Sequence, residues 1–241
     1  MQNSETVIIV AHPDDEILWF ASALSRADRV VLAFGPLHDV PSLGAARDNA
    51  VAELPFPFTF LKLKEAGSYA KADWNSPTEN SIGMELPAAR SDVREAYEAN
   101  FFALRDHLRR SLHAEQTVFS HNPWGEYGHE DHVLVFRVVD SLRREIGFQH
   151  WVPAYVSDRS ATLAKRWQMK LGSPSAAAAV DPKFTTSIKE IYQKHMCWTW
   201  DSDWIWPPEE WFFEMNDHGE KAANLSEIKL INVVRSQTVA G

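Results

Sequence analysis

Two short segments carry residue types that could do chemistry together. The first is AHPDDE, residues 11–16, where His12 is followed at once by the carboxylates of Asp14, Asp15 and Glu16. Acids packed this closely repel one another, so the grouping is costly unless a cation offsets it. A divalent metal bound by His12 and one of the Asp residues would do so, and imidazole with carboxylate is a donor set suited to zinc or ferrous iron. Calcium, which takes oxygen ligands, fits poorly. The second segment is NPWGEYGHEDH, residues 122–132, with His129 and His132 three positions apart at the entrance to an expected helix. Both imidazoles can then face the same side. The spacing is not HExxH, whose histidines are four apart, and a zinc finger would need more cysteine than the single Cys197. His12, one Asp and one of these histidines would make three ligands and leave a fourth position for water, the pattern of catalytic zinc.

These segments can meet only if the elements before them bring them together. VIIVA (7–11) is a short apolar run, and ILWFASAL after it has helical spacing. The same alternation recurs in RVVLAFG (29–35) with LGAARDNAVAEL (43–54), in FTFLKL (58–63) with a helix over about 92–113, and in TVFSH (117–121) with DHVLVFRVVDSLRRE (131–145). HWVPAYVS (150–157) reads as a further strand. Asp92 with Glu95 has the form of a capping box. Apolar strands alternating with amphipathic helices predict an α/β, Rossmann-like, doubly wound sheet, mostly parallel and covered on both faces. Sites in such sheets form beyond the carboxyl ends of the strands, where both segments fall. The long polar stretch Lys64 to Arg90 reads as a binding loop or lid, and GSPSAAAAVDP (172–182) as a linker or surface loop. After it come a helix in TTSIKEIYQKHM and a final strand in KLINVV. Residues 1–157 are thus expected to form the metal-binding catalytic region, and 158–241 an aromatic-rich extension completing the same domain.

Composition narrows the function. The chain has 241 residues, enough for one sizeable domain with a pocket, and 45% of them are hydrophobic, which excludes intrinsic disorder. A net charge of -9 argues against nucleic acid as a partner, because binding it depends on clustered cations. No apolar run reaches transmembrane length and the start MQNSETVIIVAH lacks a signal-peptide pattern, so the expected compartment is the cytoplasm. With one cysteine no intramolecular disulfide can form, and Cys197 reads as a buried spectator.

AHPDDE near the start, followed about 115 residues later by GHEDH, resembles the N-acetylglucosaminyl deacetylase family often called PIG-L or LmbE. The two motifs together are far more specific than either alone, and the resemblance spans roughly residues 5–157. It implies a zinc-dependent hydrolase removing an N-acetyl group from an amino sugar or glycoconjugate. The resemblance implies that His12, Asp15 and His132 bind zinc, that Asp14 is the general base and that His129 stabilises the transition state, a task that developing negative charge on the oxyanion suits to a protonated imidazole. Glu130 and Asp131 fill middle positions where family members vary. A hydrolase of another small amide, or a sugar-binding or assembly protein with a structural metal, are the competing readings.

Other residues stand between a functional and a plain structural reading. Tyr127 could donate a hydrogen bond to substrate or be a packed core tyrosine. Arg47 could clamp a polar substrate group, although a surface arginine is commoner. His121, at a strand end, could support a metal ligand or serve structure alone. Five of the ten tryptophans lie in WTWDSDWIWPPEEW (198–211), where stacking on a sugar competes with packing in a core or in a subunit interface of an oligomer. Asp201, Asp203, Glu209 and Glu210 among them read as a solvated face.

Overall fold

The computed structural model describes residues 4–36, 40–216 and 233–234. The chain alternates β1 (Thr6–Val10), α1 (Asp15–Leu24), β2 (Arg29–Phe34), α2 (Pro41–Ala52), β3 (Phe58–Leu63), α3 (Ser91–Arg109), β4 (Thr117–Ser120), α4 (Glu130–Ile146) and β5 (Gln149–Pro153). Then come β6 (Val156–Ser157), α5 (Ala161–Trp167), β7 (Leu171–Pro174), β8 (Ala178–Ala179), α6 (Pro182–Lys194), β9 (Glu209–Glu210), β10 (Phe212–Met215) and β11 (Val233–Val234). The main sheet has the order β3-β2-β1-β4-β5-β10-β7. Its first five strands are mutually parallel, and β10 runs antiparallel to both β5 and β7. The α/β, mostly parallel, doubly wound architecture expected from the alternation is the one observed.

Strand β1 shows why its sequence is apolar without interruption. Side chains alternate across a sheet, and here each face is covered: Val7 and Ile9 join a core with Leu104 of α3 and Leu134 of α4, whereas Ile8 and Val10 join one with Ile17 of α1 and Ile188 of α6. All four are fully buried. Truncating Ile8 or Ile9 to alanine costs about 2–5 kcal/mol, because the lost transfer energy is joined by a cavity that neighbours fill only in part.

Several local expectations need correction. The helix expected to open on an Asp92 capping box starts at Ser91, with Arg90 in extended conformation as N-cap and no side-chain cap; Asp92 pairs instead with the Arg90 guanidinium. The strand expected over 150–157 is broken between β5 and β6, and the Asn122 amide donates to the carbonyls of Pro153 and Tyr155 across the break. Residues 172–182 are no linker: they include β7, which closes one edge of the sheet, and β8. Nothing in their Ser/Ala-rich composition signals a strand. The antiparallel β10 was not expected either; its four residues follow directly on the Trp-rich run. Of the expected strand in KLINVV, Val233–Val234 pairs with β6 and the preceding four positions lie outside the described residues.

Candidate metal centre and active-site pocket

The strand order decides where chemistry can gather. β1 and β4 are neighbours although α1, β2, α2, β3 and α3 separate them in sequence, so the connections from β1 and β4 leave in opposite directions and open a crevice between them. AHPDDE leaves the carboxyl end of β1 and HNPWGEYGHEDH that of β4. The Ala11 backbone N–H donates to His121 Nε2 at 2.9 Å, tying the two together. Gly125 and Gly128 both have positive φ in the turn that delivers His129, and a Cβ on Gly125 would sit 2.5 Å from the His129 carbonyl oxygen.

His12, Asp15 and His132 converge, each buried, with one ligand atom apiece within 4.8 Å of the others. Asp15 Oδ2 lies 3.2 Å from His12 Nδ1 and 3.3 Å from His132 Nε2. Its own position is fixed by the His12 backbone N–H on Oδ2 (2.7 Å) and the Trp19 indole N–H on Oδ1 (2.9 Å). Glu126 Oε2 accepts from His132 Nδ1 at 2.7 Å and from His121 Nδ1 at 3.0 Å, and its Oε1 accepts the Asn122 N–H. That carboxylate sets both tautomers. With the proton on Nδ1, His132 keeps a lone pair on Nε2 facing the cluster, whereas the lone pair of His121 Nε2 is already used by Ala11. His132 Nε2, which faces Asp15, is buried without a hydrogen-bond partner, which is how a donor suited to a cation looks; the likewise unpartnered His12 Nε2 faces Asp131 and Glu65 at 3.4 and 3.7 Å.

Two other groupings lie in ligand range, His12 with His129 and Asp131, and His121 with Glu126 and His132. Hydrogen bonding disfavours both, because His129 Nδ1 accepts the Asp131 backbone N–H at 3.1 Å and His121 is committed as above. The donor chemistry of His12, Asp15 and His132, two imidazoles and a carboxylate, fits zinc or ferrous iron.

Electrostatics at the cluster favours added positive charge. Burial opposes protonation of His12, but the facing Glu65, Asp131 and Asp15 carboxylates overrule it and push its pKa up to about 10. His132 is likewise pushed up to about 9, burial being outweighed by Asp15 and Glu126. Burial and the neighbouring Asp15 charge raise Asp14 to about 7, and burial raises Glu16 to about 8. A site that draws protons onto its imidazoles and its acids is one that a dication would stabilise.

Asp14 turns away from the cluster. Its φ of 94° is a left-handed conformation rare outside glycine, and Oδ2 accepts from both the backbone N–H (2.9 Å) and the hydroxyl (2.7 Å) of Thr199. A cavity of about 220 Å³ opens over the site, walled by Asp14, His129, Arg47, Glu65, Tyr69, Tyr127, Thr199 and Trp200 among others. His129 is the N-cap of α4, its Nδ1 held as an acceptor by the Asp131 N–H, so the ring proton belongs on Nε2. Burial, and then the neighbouring His132 and His12, drive its pKa well below the usual value. The Asp131 N–H on Nδ1 and the burial thus favour a neutral imidazole over the protonated one expected. A second proton on Nδ1 would face an N–H at hydrogen-bonding distance.

The structure brings His12, Asp14, Asp15, His129, Tyr127 and Arg47 to one cavity, with His132 beneath it. Arg47 is no surface residue: it is 4% exposed, donates to the Gly35 carbonyl and forms an ion pair with Glu65. Tyr127 packs against Trp19, Trp200 and His129 while reaching the cavity. Glu130 and Asp131 are not idle fillers, since Glu130 accepts from the backbone of Ala70 and Ala72 and from the Trp74 indole, and Asp131 from the Ser68 hydroxyl. They pin the stretch after β3, whose Glu65 and Tyr69 reach the cavity. Sequence reasoning named neither Glu126 nor Thr199, and it reached Glu65, Tyr69 and Trp200 only as members of the 64–90 loop and of the Trp-rich run. Glu126 carried a signal of its own, as a carboxylate lodged between His121 and His129. Most of the Trp-rich run packs on the core, and Trp200 alone among its tryptophans walls the cavity. Glu210, expected on a solvated face, is fully buried and accepts from Ser22 N–H, the Ser22 hydroxyl and the Tyr155 hydroxyl.

No family model and no curated protein matches the sequence. Solved structures do match. A deacetylase crystallised with teicoplanin, from the teicoplanin biosynthesis pathway, is 12% identical with a TM-score of 0.55, over 88% of this chain and 98% of its own. The zinc-inhibited form of teicoplanin deacetylase is 11% identical with a TM-score of 0.57, over 89% and 99%. A deacetylase of the A40926 pseudoaglycone is 14% identical with a TM-score of 0.52, over 88% and 97%. At such identities the likeness is one of architecture: this chain has the fold of the teicoplanin and A40926 pseudoaglycone deacetylases over 88–89% of its length.

Proposed function

We propose that the protein is a metal-dependent hydrolase, using zinc or alternatively ferrous iron, that removes an N-acetyl or related N-acyl group from an amino sugar or glycoconjugate. The observation that carries this reading is the buried His12, Asp15 and His132 cluster beneath an open cavity, with an uncommitted carboxylate oxygen and a neutral imidazole beside it. The architecture shared with a deacetylase crystallised with teicoplanin and with a deacetylase of the A40926 pseudoaglycone supports the substrate class.

When bound, the ion supplies Lewis acidity, lowering the pKa of water toward ~7 and polarising the acyl carbonyl. Asp14, whose Oδ2 is held by Thr199, is poised to take the proton of the attacking water and to pass it to the departing amine. His129, neutral with its proton on Nε2, donates to the carbonyl oxygen as negative charge develops there. A neutral donor works because desolvated dipoles held in place need no reorganisation during the step. Tyr127, Arg47, Glu65 and Trp200 shape the rest of the cavity, so aromatic surface and a charged pair both border the bound group. In this reading residues 1–157 supply the metal chemistry, and the C-terminal part completes the same domain and closes one wall of the pocket.

Metal analysis joined to acetate release from N-acetylated sugars, nucleotide sugars and glycoconjugates tests the proposal. Stoichiometric zinc or iron with acetate released from at least one sugar is the expected result. Bound metal without turnover on any member, or release confined to amides without a sugar, would overturn it.

A further inference from the structure

The C-terminal segment touches the site through a residue that neither histidine segment accounts for. Thr199 gives both of its donors to a single oxygen, Asp14 Oδ2, at 2.9 Å from the backbone N–H and 2.7 Å from the hydroxyl. Asp14 Oδ1 accepts no hydrogen bond among the described residues, and Asp14 lines the cavity. The loop that carries Asp14 is held in the left-handed region from the same side: Glu16 Oε2 accepts the Asp14 N–H, and Glu16 Oε1 accepts from the Tyr192 hydroxyl of α6. Thr199 is itself anchored. Cys197 and Trp200 on either side are buried, and the Trp200 ring meets Trp19 edge-on at 5.2 Å and Tyr127 at 4.8 Å.

We infer that Thr199 is a positioning residue for the general base: by engaging Oδ2 twice it fixes the Asp14 carboxylate rotation and leaves Oδ1 as the oxygen presented to substrate. This rests on the reading of Asp14 as the base. A carboxylate is roughly two-fold about its last torsion, so an unrestrained one would spread its basic lone pairs over many directions, and proton transfer depends on alignment. The Trp-rich run thus has a catalytic purpose beyond packing. It delivers Thr199 to a loop 185 positions away in sequence.

Thr199→Val keeps the shape and the backbone donor but removes the hydroxyl, while Thr199→Ser restores it. With N-acetylglucosamine glycosides as substrates and acetate release as readout, Thr199→Val should lower kcat roughly 10- to 100-fold, the usual worth of a hydrogen bond to a charged group. KM, bound zinc per chain and Tm should stay close to wild type, and Thr199→Ser should recover most of kcat. In the Asp14→Asn background, Thr199→Val should add little further loss, because the two residues act as one unit. Wild-type kcat in Thr199→Val, a loss that serine does not rescue, or a full additional loss on top of Asp14→Asn would each overturn the inference. If Asp14→Asn itself retains full turnover, the assignment of the base fails and this inference falls with it; an inactive Asp14→Asn beside a fully active Thr199→Val refutes the role of Thr199 alone.

Discussion

Replacing Glu126 with glutamine probes the least conspicuous part of the metal centre. Its carboxylate is fully buried, and Oε2 accepts from the Nδ1 atoms of His132 at 2.7 Å and His121 at 3.0 Å while Oε1 takes the Asn122 N–H. Glutamine is nearly isosteric but offers one acceptor and one donor. If its NH2 faces the histidines, two ring N–H groups meet a donor; if it is flipped, the NH2 meets the Asn122 N–H instead. Either way a buried polar group loses its partner, which costs the metal-free fold about 1–3 kcal/mol. The first arrangement also lets the His132 proton move to Nε2, the nitrogen needed by the metal. Partners that orient a metal-bound imidazole are typically worth about 10- to 100-fold in affinity, or about 1.4–2.8 kcal/mol at 1.4 kcal/mol per decade. Competition against a fluorescent zinc chelator at fixed pH measures this directly, and urea unfolding in excess chelator measures the fold separately. A folded Glu126→Gln variant with wild-type zinc affinity would refute the reasoning, since His132 would then not depend on Glu126 to present Nε2.

Three further outcomes are expected. Asp15→Ala and His132→Ala should lose most bound zinc and all measurable turnover, whereas Asp14→Asn should keep zinc and lose about 10²- to 10⁴-fold in kcat; metal analysis that finds zinc retained in the first two would remove them from the ligand set. His129→Ala should keep zinc and lose about 10²-fold or more in kcat, and because His129 is held neutral the alkaline limb of the pH profile should survive the substitution; a limb that disappears with His129, or zinc lost with it, would show a charged or ligating imidazole. In the metal-free protein His12 and His132 are raised to about 10 and about 9, so at pH 7 zinc must displace about two protons. Calorimetry in buffers of different ionisation enthalpy should detect that release, with zinc affinity climbing as pH rises. Because the folded pKa values exceed the unfolded one near 6.5, the stabilisation from these protons is complete below pH 6.5 and disappears as pH rises through about 9–10; Tm of the metal-free protein should fall over that window, and a flat Tm would contradict the raised values.

Much of the architecture was legible in the sequence because its signals are local. A strand buried on both faces must be apolar at every position, as Val7 to Val10 are, and a helix covering it must repeat near 3.6 residues, so the alternation through residue 153 announces the parallel sheet. The histidines and acids of AHPDDE and GHEDH stood out for a similar reason: such a density of charge after a strand is costly without a ligand. The edge of the sheet was hidden. β7 and β10 are short and antiparallel to each other, one at the start of a Ser/Ala-rich stretch and the other just after the Trp-rich run, and their pairing is a property of where the chain returns, with no periodic signature in the residues themselves.

What tertiary structure alone decided is which members of each local cluster do which task. Sequence places Asp14 and Asp15 side by side, but only the folded chain brings Thr199 to the first and His132 to the second, across 185 and 117 positions. It also put Arg47 and Glu210 inside, where ion pairing and three hydrogen bonds respectively satisfy charges that composition would leave in water. The charge state of His129 follows from one backbone N–H at the start of α4 and from the burial around it. Protonation, tautomer and orientation depend on distances of a few ångströms between groups remote in the chain. Such distances are set by the packing of β1 against β4, whereas residue type and spacing can only nominate the candidates.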